Sequence, residues 1–456
     1  MTNKIVWLKK ARDILNETGP GMCLAKWLQV TLHLHNGHTH SCHHPNTHLV
    51  PLEEIALDPS ALHNTKFKKE QRKMMMTGSR PEECHYCWNV EDNVPEGRDD
   101  VFSDRVLKST DDWAGIAQYQ PVMDAGYTKN INPTYLEVSF SHACNFKCAY
   151  CSPQISSKWM EEIEKFGGYP TTLNYNNLEH TRYENKMPIP IKEENPYVEA
   201  FWKWWPDVYP TLHTFRITGG EPLMTKNTFR VLDYIIANPN PNLELAINSN
   251  CVVPDKLFDS FIAKVKIILD NNYVKKFTLF TSCEAHGSKA EYIRNGLDYN
   301  VWIENCNKFL TELPTANFSI MSTYNALSIT SYTEFLKDVL ELKLTYHNPN
   351  RSISIDIPYL DNPKWMSVRI LPITYRALIL EQVKYMQDNH CEGKGFQNWE
   401  IDKLERVQYQ IQDNPEQVYL KDFVLFFDEH DKRRGTNFLE TFPELAVFYN
   451  YCKLVQ

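Results

Sequence analysis

Between Thr134 and Pro363 the chain runs through six short stretches in which apolar and polar residues alternate: 135–140, 212–218, 243–248, 277–282, 317–323 and 352–357. A period of two predicts strands, because successive side chains point to opposite faces. Between most of these stretches apolar residues recur at helical spacing, which predicts helices at 154–166, 225–237, 254–269, 299–312 and 330–342. Strand alternating with helix predicts a parallel sheet with right-handed crossovers.

The flanks have other patterns. Residues 1–20 predict a helix (Ile5, Leu8, Ala11, Ile14, Leu15) stopped by Gly19-Pro20. Leu28, Val30, Leu32 and Leu34 then alternate with polar residues up to Asn36-Gly37, a hairpin signal suited to positive φ at both turn positions. The hairpin returns Cys42 toward Cys23, and a helix over 66–76 leads to the pair Cys84 and Cys87. Seven histidines crowd this region (33, 35, 38, 40, 43, 44 and 48) and read mainly as solvated or hydrogen-bonding residues. Residues 99–133 are polar and punctuated, a connector with a short helix. The first crossover is unusually long, ending in an aromatic helix whose Phe201, Trp202, Trp204 and Trp205 read as packing residues. Residues 364–456 predict a helical extension, amphipathic over 373–389 and 400–412.

With 456 residues, 42% of them hydrophobic, the chain can bury a large core in two or three structural units. A net charge of -9 argues against broad electrostatic binding of nucleic acid. No apolar run is long enough to span a membrane and no signal-peptide pattern opens the chain. Twelve cysteines in that setting point to a reducing cytoplasm, with thiols as metal ligands or buried residues.

The first predicted strand delivers Cys144, Cys148 and Cys151, spaced C-x3-C-x2-C. Three thiolates on one loop can hold three irons of a four-iron cluster and leave the fourth without a protein ligand. The other reading is a zinc knuckle, for which His142 is the local fourth ligand. The second strand runs into Gly219-Gly220-Glu221-Pro222, where glycines permit close backbone approach and the carboxylate can accept from an ammonium group. Cys23, Cys42, Cys84 and Cys87 form a four-thiolate set for an iron–sulfur cluster or for zinc.

The C-x3-C-x-Tyr150-C phrase, with the Gly-Gly-Glu-Pro turn at the next strand end, resembles the radical S-adenosylmethionine (SAM) superfamily. The N-terminal cysteines resemble a twitch/SPASM-type auxiliary-cluster domain, placed here ahead of the catalytic domain. The resemblance implies an α/β fold: a partial (β/α)6 TIM-like barrel over 134–363, a small N-terminal cysteine-rich α+β domain over 1–98, the connector 99–133 and the helical C-terminal extension 364–456. It implies a [4Fe-4S] cluster on Cys144, Cys148 and Cys151. SAM would lie against Tyr150, Gly219, Gly220, Glu221, Asn250, Ser282 and Arg294, at the C-terminal ends of the strands. Asn250 also reads as a simple strand terminator, and Arg294 as a surface partner of Glu291 or Asp298. The implied reaction is one-electron cleavage of SAM to a 5′-deoxyadenosyl radical that takes hydrogen from a peptide or small-molecule substrate. It needs an external donor such as flavodoxin or ferredoxin, and the second cluster, on Cys23, Cys42, Cys84 and Cys87, serves electron relay or support. The reading from another class is a zinc-stapled binding or scaffold protein.

Overall fold

The structure, a computed structural model, describes residues 2–455. Its strands are β1 (Gln29–His33), β2 (His38–His40), β3 (His48–Leu49), β4 (Tyr135–Ser139), β5 (Lys147–Cys148), β6 (Thr214–Thr218), β7 (Asn240–Ser249), β8 (Val274–Ser282), β9 (Arg294–Asn295), β10 (Asn317–Met321) and β11 (Ile353–Asp356). The fold is α/β, with a mostly parallel sheet and many helices; β5 and β9 form a separate antiparallel ladder. The chain divides into two compact units. One comprises Met1–Ser141, Pro188–Gly219 and Asn240–Leu245; the other comprises His142–Met187, Gly220–Pro239 and Ala246–Gln456.

In the first unit the strands run in the order β6-β4-β1-β2-β3. β1 lies parallel to β4, Val30 beside Leu136 and Leu32 beside Val138. That register joins the buried apolar positions of both strands to Phe215 and Ile217 of β6 on one face. Thr31, Glu137 and Arg216 stand together on the other face. The helix Pro196–Val208 supplies Phe201, Trp204 and Trp205 to the core; Trp205 packs against Phe215 at 4.8 Å between ring centroids and Phe201 against Phe140 at 5.0 Å.

The hairpin β1–β2 forms, but its connection differs from the expected two-residue turn. His33 pairs with His38, so the loop has four residues, and of Asn36 and Gly37 only Gly37 has positive φ, +76°. Two contacts fix that geometry. Gly37 O accepts from Val50 N at 2.9 Å, and a Cβ at Gly37 would fall 2.2 Å from the Tyr197 ring. Of the seven histidines here His35, His38 and His40 are buried, and several are hydrogen-bonded: His33 Nε2 lies 3.1 Å from His40 Nε2, and His35 Nδ1 2.9 Å from Ser139 Oγ.

In the second unit β8, β10 and β11 are parallel neighbours, with Ser282 beside Met321 and Met321 beside Asp356. The crossover helices are Ser157–Phe166, Lys226–Ala237, Asp255–Asp270, Tyr299–Glu312 and Tyr332–Thr345. Each puts an apolar stripe into the core, as Phe258, Phe261, Ile262, Val265 and Ile268 do for the third. The C-terminal segment is helical, and its helix Gln417–Arg434 ends at Gly435 in the left-handed conformation that glycine adopts without strain. Among the described residues no helix is long and apolar enough to cross a membrane.

Candidate metal and cofactor site

The loop bearing Cys144, Cys148 and Cys151 follows β4 and is held by hydrogen bonds along its length. Ser157 Oγ accepts from Cys144 N at 3.1 Å and donates to Cys144 O at 3.2 Å. Ser156, the N-cap of the helix Ser157–Phe166, donates to Phe146 O, and Trp159 Nε1 donates to Cys148 O at 2.8 Å. The long crossover contributes too: Tyr175 Oη donates to Tyr150 O at 3.1 Å and Asn176 Nδ2 to Cys151 O at 3.0 Å.

The β5–β9 ladder clamps the loop's middle. Cys148 pairs with Arg294 and Lys147 with Asn295, while Ala149 N donates to Ile293 O at 2.7 Å. Gly296, at φ +110°, closes the clamp, since a Cβ there would fall 2.8 Å from Asn145 O. All three thiols are half-buried and ionise with difficulty. Burial and the neighbouring Cys148 push Cys144 up to about 12. Burial raises Cys148 against the opposing pull of Arg294, and burial with its two cysteine neighbours raises Cys151. A metal cation would reverse these shifts, because it favours the thiolate.

The expected cofactor residues take definite places. Gly219 has φ +123°, and a Cβ would lie 2.5 Å from Ser139 Oγ. A Cβ at Gly220 would lie 2.3 Å from Ala143 O, so the close approach that glycine permits here is to the cysteine loop's own backbone, which also accepts from Glu221 N at 2.7 Å. The Glu221 carboxylate is buried and accepts from Ser249 Oγ (2.8 Å), Asn250 N (2.7 Å) and Leu223 N (3.0 Å). Asn250 donates through Nδ2 to Asn145 Oδ1 at 2.8 Å, and its Oδ1 accepts from Val252 N at 2.9 Å. Ser282 ends β8, half-buried. Arg294 is buried and pairs with Glu284, not with Glu291 or Asp298. Tyr150 Oη donates to the same carboxylate at 3.1 Å.

Asn145 and Glu284 join these residues; the sequence noted Glu284 only as a strand-end residue without a settled role and did not single out Asn145. Glu284 follows the strand end at Ser282 by two residues; its partners Tyr150 and Arg294 lie 134 and 10 residues away in sequence. Among the described residues two buried acceptors, Glu284 Oε1 and Asn176 Oδ1, have no hydrogen-bond partner, which fits a site built to take a donor-bearing group.

In the first unit Cys23, Cys42, Cys84 and Cys87 line one cleft with Lys26, Arg105 and Lys108. Burial pushes Cys23 and Cys84 up to about 12 and Cys87 to about 11. Lys26 and Arg105 are themselves buried, Lys26 against Glu83 and Arg105 against Glu91. Cations around four sulfurs fit a tetrathiolate centre, which carries net negative charge. Among the described residues no three His, Cys, Asp or Glu side chains close around one point as ligands of a single ion.

No protein-family model matches the chain. A GTP 3′,8-cyclase of Nautilia profundicola is 26% identical over 141 residues, 30% of this chain and 35% of that protein. That of a Sulfurovum species is 24% identical over 141 residues, 30% of this chain and 34% of that protein. The chain therefore spans about a third of the length of the curated relatives it matches. Among solved structures, Streptococcus suis SuiB bound to S-adenosylmethionine aligns with a TM-score of 0.36 and 14% identity, over 82% of this chain and 72% of that one. SuiB bound to its precursor peptide SuiA aligns with a TM-score of 0.35 and 13% identity, over 82% and 72%.

Proposed function

We propose that the chain is a radical SAM enzyme that cleaves SAM reductively and takes a hydrogen atom from a peptide or small-molecule substrate. The observation that supports this reading is that one loop carries Cys144, Cys148 and Cys151, paired by β9 at Cys148 and approached at Ala143 by Gly220 and Glu221. Those three cysteines would hold a [4Fe-4S] cluster, and Tyr150, Gly219, Gly220, Glu221, Asn250, Ser282 and Arg294 would border SAM. When bound, the pair supplies the one-electron cleavage of SAM that yields a 5′-deoxyadenosyl radical.

The chain's own residues then hold and orient. Glu221 fixes the end of β7 through Ser249 and Asn250, and Asn250 ties that end to the cysteine loop through Asn145. Cys23, Cys42, Cys84 and Cys87 would hold the auxiliary cluster, with zinc as the other tenant that four thiolates accept. In this reading residues 134–363 form the partial barrel, 1–98 the auxiliary domain, 99–133 a connector and 364–456 an extension. The enzyme works in the cytoplasm with an electron donor such as flavodoxin or ferredoxin. A zinc-stapled scaffold is not favoured by the relationship to radical SAM proteins.

Anaerobic reconstitution tests the proposal. Iron and sulfide should bind at the 144–151 loop, and dithionite with SAM should yield 5′-deoxyadenosine. A protein that takes up only zinc and shows no spectral response to dithionite would overturn it.

A further inference from the structure

Arg294 faces Cys148 across the β5–β9 ladder, and its Nη1 donates to Cys148 Sγ at 3.7 Å. The opposite edge of the guanidinium is occupied. Nε and Nη2 both donate to Glu284 Oε2, at 2.9 and 2.7 Å, and Nη2 also bonds Tyr150 Oη. Arg294 and Glu284 side chains are 6% and 0% exposed. The acidic residues nearest in sequence are turned elsewhere: Glu291 accepts from Tyr299 N, and Asp298 caps the helix Tyr299–Glu312. One carboxylate therefore grips one edge of a rigid fork, and the other edge is presented to a sulfur. Burying a guanidinium is costly unless its charge is answered on each side. A neutral thiol answers poorly; a metal-bound thiolate answers well.

We propose that Arg294 is a positioning residue that sets the reduction potential of the cluster held by Cys144, Cys148 and Cys151, by fixing positive charge against the Cys148 sulfur. The inference rests on the reading of that loop as a cluster site. An added electron spreads onto the ligating sulfurs. A charge-assisted hydrogen bond to one of them stabilises the reduced cluster more than the oxidised one and raises the potential. Glu284 and Tyr150 act through Arg294 by keeping the fork from turning away.

The test is a dye-mediated potentiometric titration, followed by electron paramagnetic resonance, of anaerobically reconstituted protein without SAM. Arg294→Gln at full iron content should move the cluster midpoint to a more negative value, with Arg294→Lys between it and the unaltered protein. Tyr150→Phe should shift it the same way by less. An unmoved midpoint in Arg294→Gln, or a shift that appears only when SAM is present, overturns the proposal; the second result would make Arg294 a SAM contact alone. If Arg294→Gln binds no iron, an unmoved midpoint in Tyr150→Phe overturns it instead. Should the unaltered protein take up no iron, the cluster reading fails first, an outcome distinguishable from all of these.

Discussion

A buried carboxylate surrounded by three donors tolerates no exchange of one oxygen for an amide nitrogen. In Glu221→Gln the new NH2 must face the Ser249 hydroxyl and Leu223 N–H or the Asn250 N–H. The change should cost about 1–3 kcal/mol in urea unfolding of the metal-free protein. Gly220→Ala should do damage by shape alone, because its Cβ must displace Ala143 O; iron retained by the loop after gel filtration should fall. Glu162 gives a pH signature. Burial pushes its carboxyl up, but Arg434, Lys147 and Tyr169 outweigh burial and bring it from 4.5 down to about 2. A folded value below the unfolded one means that the stabilisation is complete above pH 4.5 and is lost as pH falls toward 2. Glu162→Gln should flatten the stability profile across that window, read by guanidinium unfolding at a series of pH values. At this scale the sequence singled out the cysteines, the glycines and Glu221, because few residue types suit such positions. Glu284 stood out only as a strand-end carboxylate without a settled role, and Asn145 did not stand out, because amides are common and its partner Asn250 lies 105 residues away.

Elements were legible where the hydrophobic period was long. All six strands and all five crossover helices form within a few residues of the stretches that predict them. Pairings between distant elements were not legible. Nothing in the alternation of residues 28–34 sets β1 beside β4, since any strand with the same face apolar would match. The hairpin loop also departed from the Asn-Gly signal because Gly37 has to pack on Tyr197. Glu400 shows how one side chain can join three elements. It accepts from Lys343 of the helix Tyr332–Thr345 at 3.0 Å and from Ile355 N of β11 at 2.7 Å, and it completes the capping box of the helix Asn398–Gln408. Lys343 and Glu400 are 2% and 0% exposed. Lys343→Met should therefore cost about 3–5 kcal/mol in chemical denaturation, by leaving a buried carboxylate without its cation. Adding Glu400→Gln should recover part of the loss.

For the whole molecule, the two sets of cysteines belong to different compact units. Cys87→Ala should lower total metal while reductive SAM cleavage at the other centre survives in the absence of substrate. Cys148→Ala should abolish SAM cleavage while leaving the N-terminal metal largely in place. Iron analysis beside a 5′-deoxyadenosine assay reads both. The clamp on the cysteine loop also bears on biosynthesis. Cys148 and the arginine against it are 146 residues apart. A nascent chain that has just released Cys151 from the ribosome already carries its three sulfurs but has neither the ladder that pairs Cys148 nor the glycine that seats Asn145. On the proposed function, a cluster on these cysteines would be assembled only after residues 294–296 have left the ribosome, when the ladder that pairs Cys148 can form.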